Sequence, residues 1–223
     1  FLEHDYQINF LGGELLLHRD LIGLLHHCMQ KEINTTITTN GTLVDKNMAK
    51  RLADARPTNL AFSIDSRTSE IHDQTRGSRL AHKRALNGIE EILAVRNNYP
   101  RVFVNTIIMR QNLGELIPLV ELTKAKNLDG ISFQPIVPQY HFTKNELSSL
   151  VGQYLDLHYL HRFIERFRSR DRMWYAKSDL WPDAAEVIPV LEKLIEYKNQ
   201  GWPIANSKQD LVGYLTYFRS PQK

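Results

Sequence analysis

Apolar runs in the first 65 residues break off into polar clusters at a nearly constant interval. Ile8 to Leu11 runs into Gly12-Gly13-Glu14, Ile33 to Thr39 into Asn40-Gly41, and Leu60 to Ile64 into the neighbourhood of Ser63 and Asp65. Glu14, Asn40 and Asp65 are 26 and 25 residues apart. That interval fits one strand, one helix and two short loops, so each cluster falls where a buried parallel strand ends. The same rhythm predicts strands over 6–11, 34–39, 58–64, 101–108 and 130–136, each short and rich in β-branched and aromatic residues.

Helical periodicity separates the strands. Leu21, Leu24, Leu25 and Cys28 fall at i, i+3, i+4 and i+7 and predict one apolar face, with Cys28 in the core and His26-His27 at its edge. Asp45 precedes a second helix, Ile89, Ile92 and Leu93 stripe a third, and Asn112 is placed to cap a fourth with Pro118 near its start. Alternation of this kind implies an α/β fold with parallel strands covered by helices, either an open sheet or a partial TIM-like (βα) barrel. Past residue 136 the pattern changes. Val137 to Asn145 reads as a connection, followed by helices over about 144–170, 183–200 and 207–218, the last behind Asn206 or Ser207. The expected division is therefore a βα domain, open sheet or partial barrel, over 1–136 and a helical extension over 137–223.

Composition changes this picture little. The chain has 223 residues, 42% hydrophobic and 24% charged, with a formal charge of +3. That is the make-up of a globular chain with a sizeable core, and the charge does not call for nucleic acid as a partner. No apolar run suits a membrane helix and no signal-peptide pattern opens the chain, so the expected location is cytoplasmic. Cys28 is the one cysteine, which excludes an intramolecular disulfide.

The clusters carry the candidate chemistry. Gly12 and Gly13 at a strand end let backbone approach a ligand, and Glu14 is free to receive a cationic amine or to remain a solvated turn carboxylate. Asn40-Gly41 is either a turn or a ligand contact. Ser63 and Asp65, two apart, are expected on one side of their strand, where an otherwise apolar run has little use for them unless something polar is met. No G-x-S-x-G, P-loop or H-E-x-x-H motif is present, and no protein nucleophile stands out. Asp156, His158, His161 and Glu165 have partial metal-ligand spacing, but no second helix completes the set. Arg162, Arg166, Arg168, Arg170 and Arg172, interleaved with Phe163, Phe167 and Trp174, read first as a solvated amphipathic helix and second as a contact for an acidic peptide or nucleic acid.

Taken in order, I-N-F-L-G-G-E, T-I-T-T-N-G-T, L-A-F-S-I-D-S and I-H-D-Q-T-R-G resemble the central part of radical S-adenosylmethionine (SAM) enzymes over about residues 6–136. The resemblance implies that Gly12, Gly13 and Glu14 meet the methionyl amino group of S-adenosylmethionine. It also implies that Ser63 and Asp65 meet the ribose or carboxylate region, that Asn40 and Asn105 add polar contacts, and that Arg76 binds the cofactor carboxylate, with Arg84 as its competitor. The implied chemistry is one-electron cleavage of S-adenosylmethionine to methionine and a 5'-deoxyadenosyl radical that abstracts hydrogen from a substrate. An electron donor such as flavodoxin or ferredoxin is implied, and peptide or protein modification is one candidate activity.

Two departures stand out. Leu15 replaces the proline that often follows G-G-E, and the C-x-x-x-C-x-x-C loop that holds the 4Fe-4S cluster is absent, where three thiolates are needed. Truncation upstream of Phe1 is the expected explanation, with the cluster ligands lying before residue 1. Gly201 to Ser207 and the helix from Leu211 to Phe218 resemble, more weakly, the lead into a SPASM-type auxiliary-cluster domain beyond Lys223. Two rivals remain: a βα-barrel lyase or aldolase, for which the strands offer no lysine, and a non-catalytic adenosyl-ligand-binding or scaffold protein.

Overall fold

A computed structural model of the chain describes residues 7–136 and 178–219. Five strands, β1 (Gln7–Phe10), β2 (Asn34–Thr39), β3 (Asn59–Ser63), β4 (Arg101–Ile108) and β5 (Gly130–Pro135), form one sheet in sequential order. Every neighbouring pair is parallel. Sequential order without reversal is the winding of a barrel, whereas a doubly wound sheet reverses its strand order part-way. The expected partial barrel is the observed fold.

The helices between the strands are α1 (Leu21–Gln30), α2 (Lys46–Ala55), α3 (Ser69–Arg76), α4 (Ala81–Val95) and α5 (Leu116–Ala125). Alternation along the strands sends Ile37, Leu60, Phe62, Val102, Val104, Ile131 and Phe133 into the core, each at most 1% exposed. The intervening residues Thr36, Thr38, Asn59, Ser63, Asn105 and Ser132 occupy the other face and are half-buried. Asp45 caps α2 as expected, accepting from the Met48 N–H at 2.8 Å, and Ala49, Leu52 and Ala55 form its fully buried stripe.

Four details differ from the sequence expectations. Leu24 is 46% exposed, because Leu21, Leu25 and Cys28 already fill the core-facing arc of α1. α3 was not expected, since His72 is its single buried residue and gives no apolar period. Asn112 does not cap α5; it is buried in the 3-10 turn Arg110–Glu115, and Pro118 sits in the first turn of α5.

The fourth concerns the C-terminal part, where α6 (Ala184–Asn199) and α7 (Lys208–Arg219) were expected as a purely helical extension. Between them Ile204 makes a parallel bridge to Ile131, with Ile131 N–H donating to Pro203 O at 2.8 Å and Ala205 N–H to Ile131 O at 2.7 Å. The Asn206 side chain continues the ladder, accepting from Phe133 N–H at 2.7 Å and donating to Phe133 O at 2.9 Å. Ser207, not Asn206, caps α7 through a reciprocal pair with Asp210. Val187, Leu191, Leu194, Leu211 and Phe218 join the same core as the sheet. The expected helix over 144–170, the Asp156, His158, His161 and Glu165 set and the arginine-rich run lie outside the described residues.

Candidate functional site

Glu14 ties together the ends of the first two strands. Its Oε1 accepts from Thr39 Oγ1 at 2.7 Å and from Leu16 N–H at 3.1 Å, and its Oε2 accepts from Asn40 N–H at 2.9 Å. A carboxylate offers about four lone-pair positions, so one on Oε2 is left for another donor. The Asn40 side chain is turned into its own loop, where Oδ1 accepts from both the amide and the hydroxyl of Thr42. Gly41 follows with φ of +74°, and a Cβ there would stand 2.6 Å from Phe62 Cδ1 and 3.1 Å from Ala85 Cα. A Cβ on Gly88 of α4 would in turn stand 2.9 Å from Gly41 O, so helix and turn pack backbone to backbone and fix where Asn40 sits.

At the end of β3, Asp65 is 1% exposed. Its Oδ2 lies 2.7 Å from Arg76 Nε, and its Oδ1 accepts from Ile107 N–H at 3.3 Å. The Nε–H of Arg76 is not aligned on that oxygen, which makes the contact a charge pair rather than a directed hydrogen bond. Burial pushes the Asp65 carboxyl up, while the Arg76 guanidinium and the Ile107 amide pull it back. Asn112 Nδ2 donates to Asp65 O at 2.9 Å and to Ile107 O at 2.8 Å, and its Oδ1 accepts from Met109 N–H, clipping the ends of β3 and β4. Glu115 accepts from Ser66 Oγ and Arg67 N–H and holds the loop beyond Asp65.

Three members of the I-H-D-Q-T-R run, His72, Asp73 and Arg76, have work in this network. His72 Nδ1 accepts the Asp65 N–H at 3.2 Å, Asp73 accepts the amides of Leu80 and His82 at the start of α4, and Arg76 pairs with Asp65. The two amide donors hold the Asp73 carboxyl below the usual carboxylate range. Burial, then the nearby Arg76 and His82 charges, push the His72 imidazole down to about 4, and burial also lowers His82. Apolar periodicity gave no sign of the roles of Thr39, His72 and Asn112; the one usable signal was the H-D-x-x-R spacing itself.

Gly12, Gly13, Glu14, Asn40, Ser63 and Arg76 line one cavity of about 300 Å³, together with Leu11, Thr38 and Thr39. All come from the C-terminal ends of β1, β2 and β3 and from α3. Asp65 was expected to share the opening with Ser63, but β3 ends at Ser63, the strand alternation stops there, and the Asp65 carboxylate turns toward Arg76 instead. Asn105 stands beside Ser63 in register on the same face, half-buried and outside the cavity lining. Arg84 is exposed on α4, away from it. A larger cavity, about 450 Å³, is lined by Ala53, Asp54, Arg56, Val95, Asn97, Asn98 and Tyr99, ahead of the starts of β3 and β4. Ligands of parallel α/β folds bind at the opposite, C-terminal ends of strands.

The radical SAM superfamily profile matches residues 3–123, more than half of the chain. The chain belongs to the radical SAM superfamily. It is 28% identical over 184 residues to an Fe-coproporphyrin III synthase of Methanosarcina barkeri, covering 82% of this chain and 43% of that protein. It is 25% identical over 164 residues to a PqqA peptide cyclase of Bradyrhizobium diazoefficiens, covering 74% and 42%. The fold of this radical SAM chain matches the crystal structure of Streptococcus suis SuiB bound to S-adenosylmethionine with a TM-score of 0.54, at 23% identity over 67% of this chain and 36% of that one. The chain thus spans less than half the length of these curated relatives.

Superfamily membership implies two groups, and the residues fit them differently. The cavity suits a zwitterionic amino-acid moiety. Glu14 keeps a lone pair for an ammonium, and the terminal guanidinium nitrogens of Arg76 have no partner among the described residues and can take a carboxylate. A 4Fe-4S cluster does not fit the residues of this chain. Cys28 is its one thiol, buried on α1, and no group of three or more metal-ligating side chains occurs among the described residues. No described helix is long and apolar enough to cross a membrane.

Proposed function

We propose that the cavity binds S-adenosylmethionine and that the chain is the cofactor-binding core of a radical SAM enzyme, with residues 1–136 as that core and 137–223 as the extension that follows it. The observation that carries the reading is that one cavity is lined by a carboxylate with one open lone pair, Glu14, and by the guanidinium of Arg76, whose Nε side is held by Asp65. Glu14 binds the methionyl ammonium and Arg76 the carboxylate. The exposed backbone at Gly12 and Gly13 accommodates the chain between them, and Ser63, Asn40 and Asn105 supply polar contacts toward the adenosine. Asp65 acts through Arg76, since its own carboxylate is buried. When bound, S-adenosylmethionine supplies a 5'-deoxyadenosyl radical on one-electron reduction, and the protein's part is to orient it and exclude water and oxidants.

The face of the sheet away from the core supports a peptide as the substrate. Asn105 and Ser132 offer neutral donors and acceptors that match backbone amides, whereas a polyanionic tetrapyrrole calls for several cations. A second reading, a non-catalytic adenosyl-binding module, is supported by the single buried cysteine. Calorimetric titration tests what both share. S-adenosylmethionine is expected to bind the protein and to lose at least about tenfold in affinity, about 1.4 kcal/mol, in Glu14→Ala or Arg76→Ala; equal binding by both variants refutes the assignment. Formation of 5'-deoxyadenosine by protein carrying a restored C-x-x-x-C-x-x-C loop, anaerobically reconstituted and reduced, decides between the enzyme and the module; no product despite a full cluster leaves the module.

A further inference from the structure

Unmatched polar capacity is concentrated around Arg76. Of the three buried side-chain atoms without an aligned hydrogen-bond partner among the described residues, Arg76 Nε and His82 Nε2 belong to the cluster of Asp65, His72, Asp73, Arg76 and His82, and only Asn59 Oδ1 lies elsewhere. Within the cluster His72 has a particular place. It is 1% exposed, its ring centroid lies 5.5 Å from that of His82, and it sits one helical turn before Arg76 on α3. Its Nδ1 accepts the main-chain N–H of Asp65, the residue whose carboxylate faces Arg76. An acceptor at Nδ1 is an unprotonated nitrogen, so the ring is neutral there and adds no positive charge beside the guanidinium.

We propose that His72 is the positioning residue for the ligand-carboxylate grip of Arg76. It bolts α3 to the end of β3 through the Asp65 amide, so that the Asp65 carboxylate and the Arg76 guanidinium keep one relative placement. The proposal rests on the reading of the cavity as an S-adenosylmethionine site. The chemistry explains the residue type: the position takes a compact, buried, neutral acceptor. Leucine or phenylalanine offers none, and lysine or arginine would repel Arg76. Asparagine places its Oδ1 where histidine has Nδ1 and preserves the acceptor.

The test uses His72→Phe and His72→Asn, both checked by thermal unfolding, and two titrants: S-adenosylmethionine and its decarboxylated analogue, which keeps the sulfonium and the ammonium. His72→Phe is expected to weaken S-adenosylmethionine about tenfold and the decarboxylated analogue less than twofold, whereas His72→Asn stays within about threefold of the unaltered protein for both. In an Arg76→Ala background His72→Phe adds no further loss. A loss shared equally by the two titrants, or a His72→Asn variant no better than His72→Phe, overturns the proposal. Amide hydrogen exchange at Asp65 gives a readout that needs no ligand: it accelerates in His72→Phe, returns in His72→Asn, and unchanged exchange in His72→Phe overturns the proposal. Failure of the unaltered protein to bind S-adenosylmethionine sinks the reading of the cavity and the carboxylate grip with it, while the exchange experiment still decides whether His72 holds Asp65.

Discussion

Replacing Glu14 by alanine removes the acceptor of three hydrogen bonds at once. The Thr39 hydroxyl, 2.7 Å away, is almost wholly buried, and the Asn40 amide, 2.9 Å away, borders the cavity. A hydrogen bond to a charged group is worth about 1.5–3 kcal/mol, but the three are not additive, because water entering the cavity can serve the Asn40 and Leu16 amides. The loss that remains is mainly that of Thr39, which keeps its bond from Gly41 N–H and loses its own acceptor. We therefore expect Glu14→Ala to cost about 2 kcal/mol, or about 4–8 °C in Tm for a domain of this size. Glu14→Gln retains one carbonyl oxygen and should lose about half as much. The isosteric change also isolates the charge, because an amide cannot balance a ligand ammonium. Differential scanning calorimetry and titration with S-adenosylmethionine on the same samples separate the two effects. A Glu14→Ala Tm within 1 °C of the unaltered protein would refute the clip between the first two strand ends.

Two further outcomes follow from the packing and the buried imidazoles. Gly41→Ala combines a left-handed backbone, about 1–2 kcal/mol, with a clash against Phe62 and Ala85, about 1–3 kcal/mol, so urea unfolding should show a loss of about 3 kcal/mol; a loss under about 1 kcal/mol would contradict the backbone contact between the turn and α4. His72, lowered from its ordinary 6.5 to about 4, is protonated first in the unfolded chain, so its contribution is complete above pH 6.5 and is lost as pH falls toward 4, by at most about 3 kcal/mol. His82 acts in the same direction, and Asp65, whose carboxyl is raised, acts in the opposite one by destabilising as pH rises above 3.8. Urea midpoints at pH 7.5 and 5 should differ in the unaltered protein and differ less in His72→Asn; an equal drop in both would exclude His72 as the source.

The strands and the cavity were legible in the sequence for one reason: each parallel strand buries an apolar run, and each run ends in residues that packing alone does not require. Gly12, Gly13, Glu14, Asn40 and Ser63 come together as strand ends must, and Arg76 reaches the same cavity from α3. What periodicity concealed was the polar framework. α3 presents one histidine to the core rather than a hydrophobic stripe, so its helix left no apolar signature. Asp65 belonged by alternation with Ser63, but alternation holds only while the strand lasts, and one ion pair beyond its end redirects the carboxylate. Asn112 read as a cap because asparagine often is one; its three bonds to the ends of β3 and β4 depend on residues up to 47 positions away. Ile204 likewise pairs with Ile131 of β5, far earlier in the chain, and the short connection between two helices carries no strand period that a sequence could display.

That last pairing bears on how the chain comes apart. The Asn206 amide imitates one more strand residue against Phe133, and the Tyr214 hydroxyl adds a third bond to the backbone of the same residue, so the outer rim of β5 is closed by a segment distant in sequence. Loosening α6 and α7 uncovers both the hydrogen-bonding edge of β5 and the apolar side of α5. Proteases and hydrogen exchange should accordingly meet the C-terminal helices and the fifth strand as one cooperative unit, whose opening also disturbs the wall nearest Asn105 and Ser132.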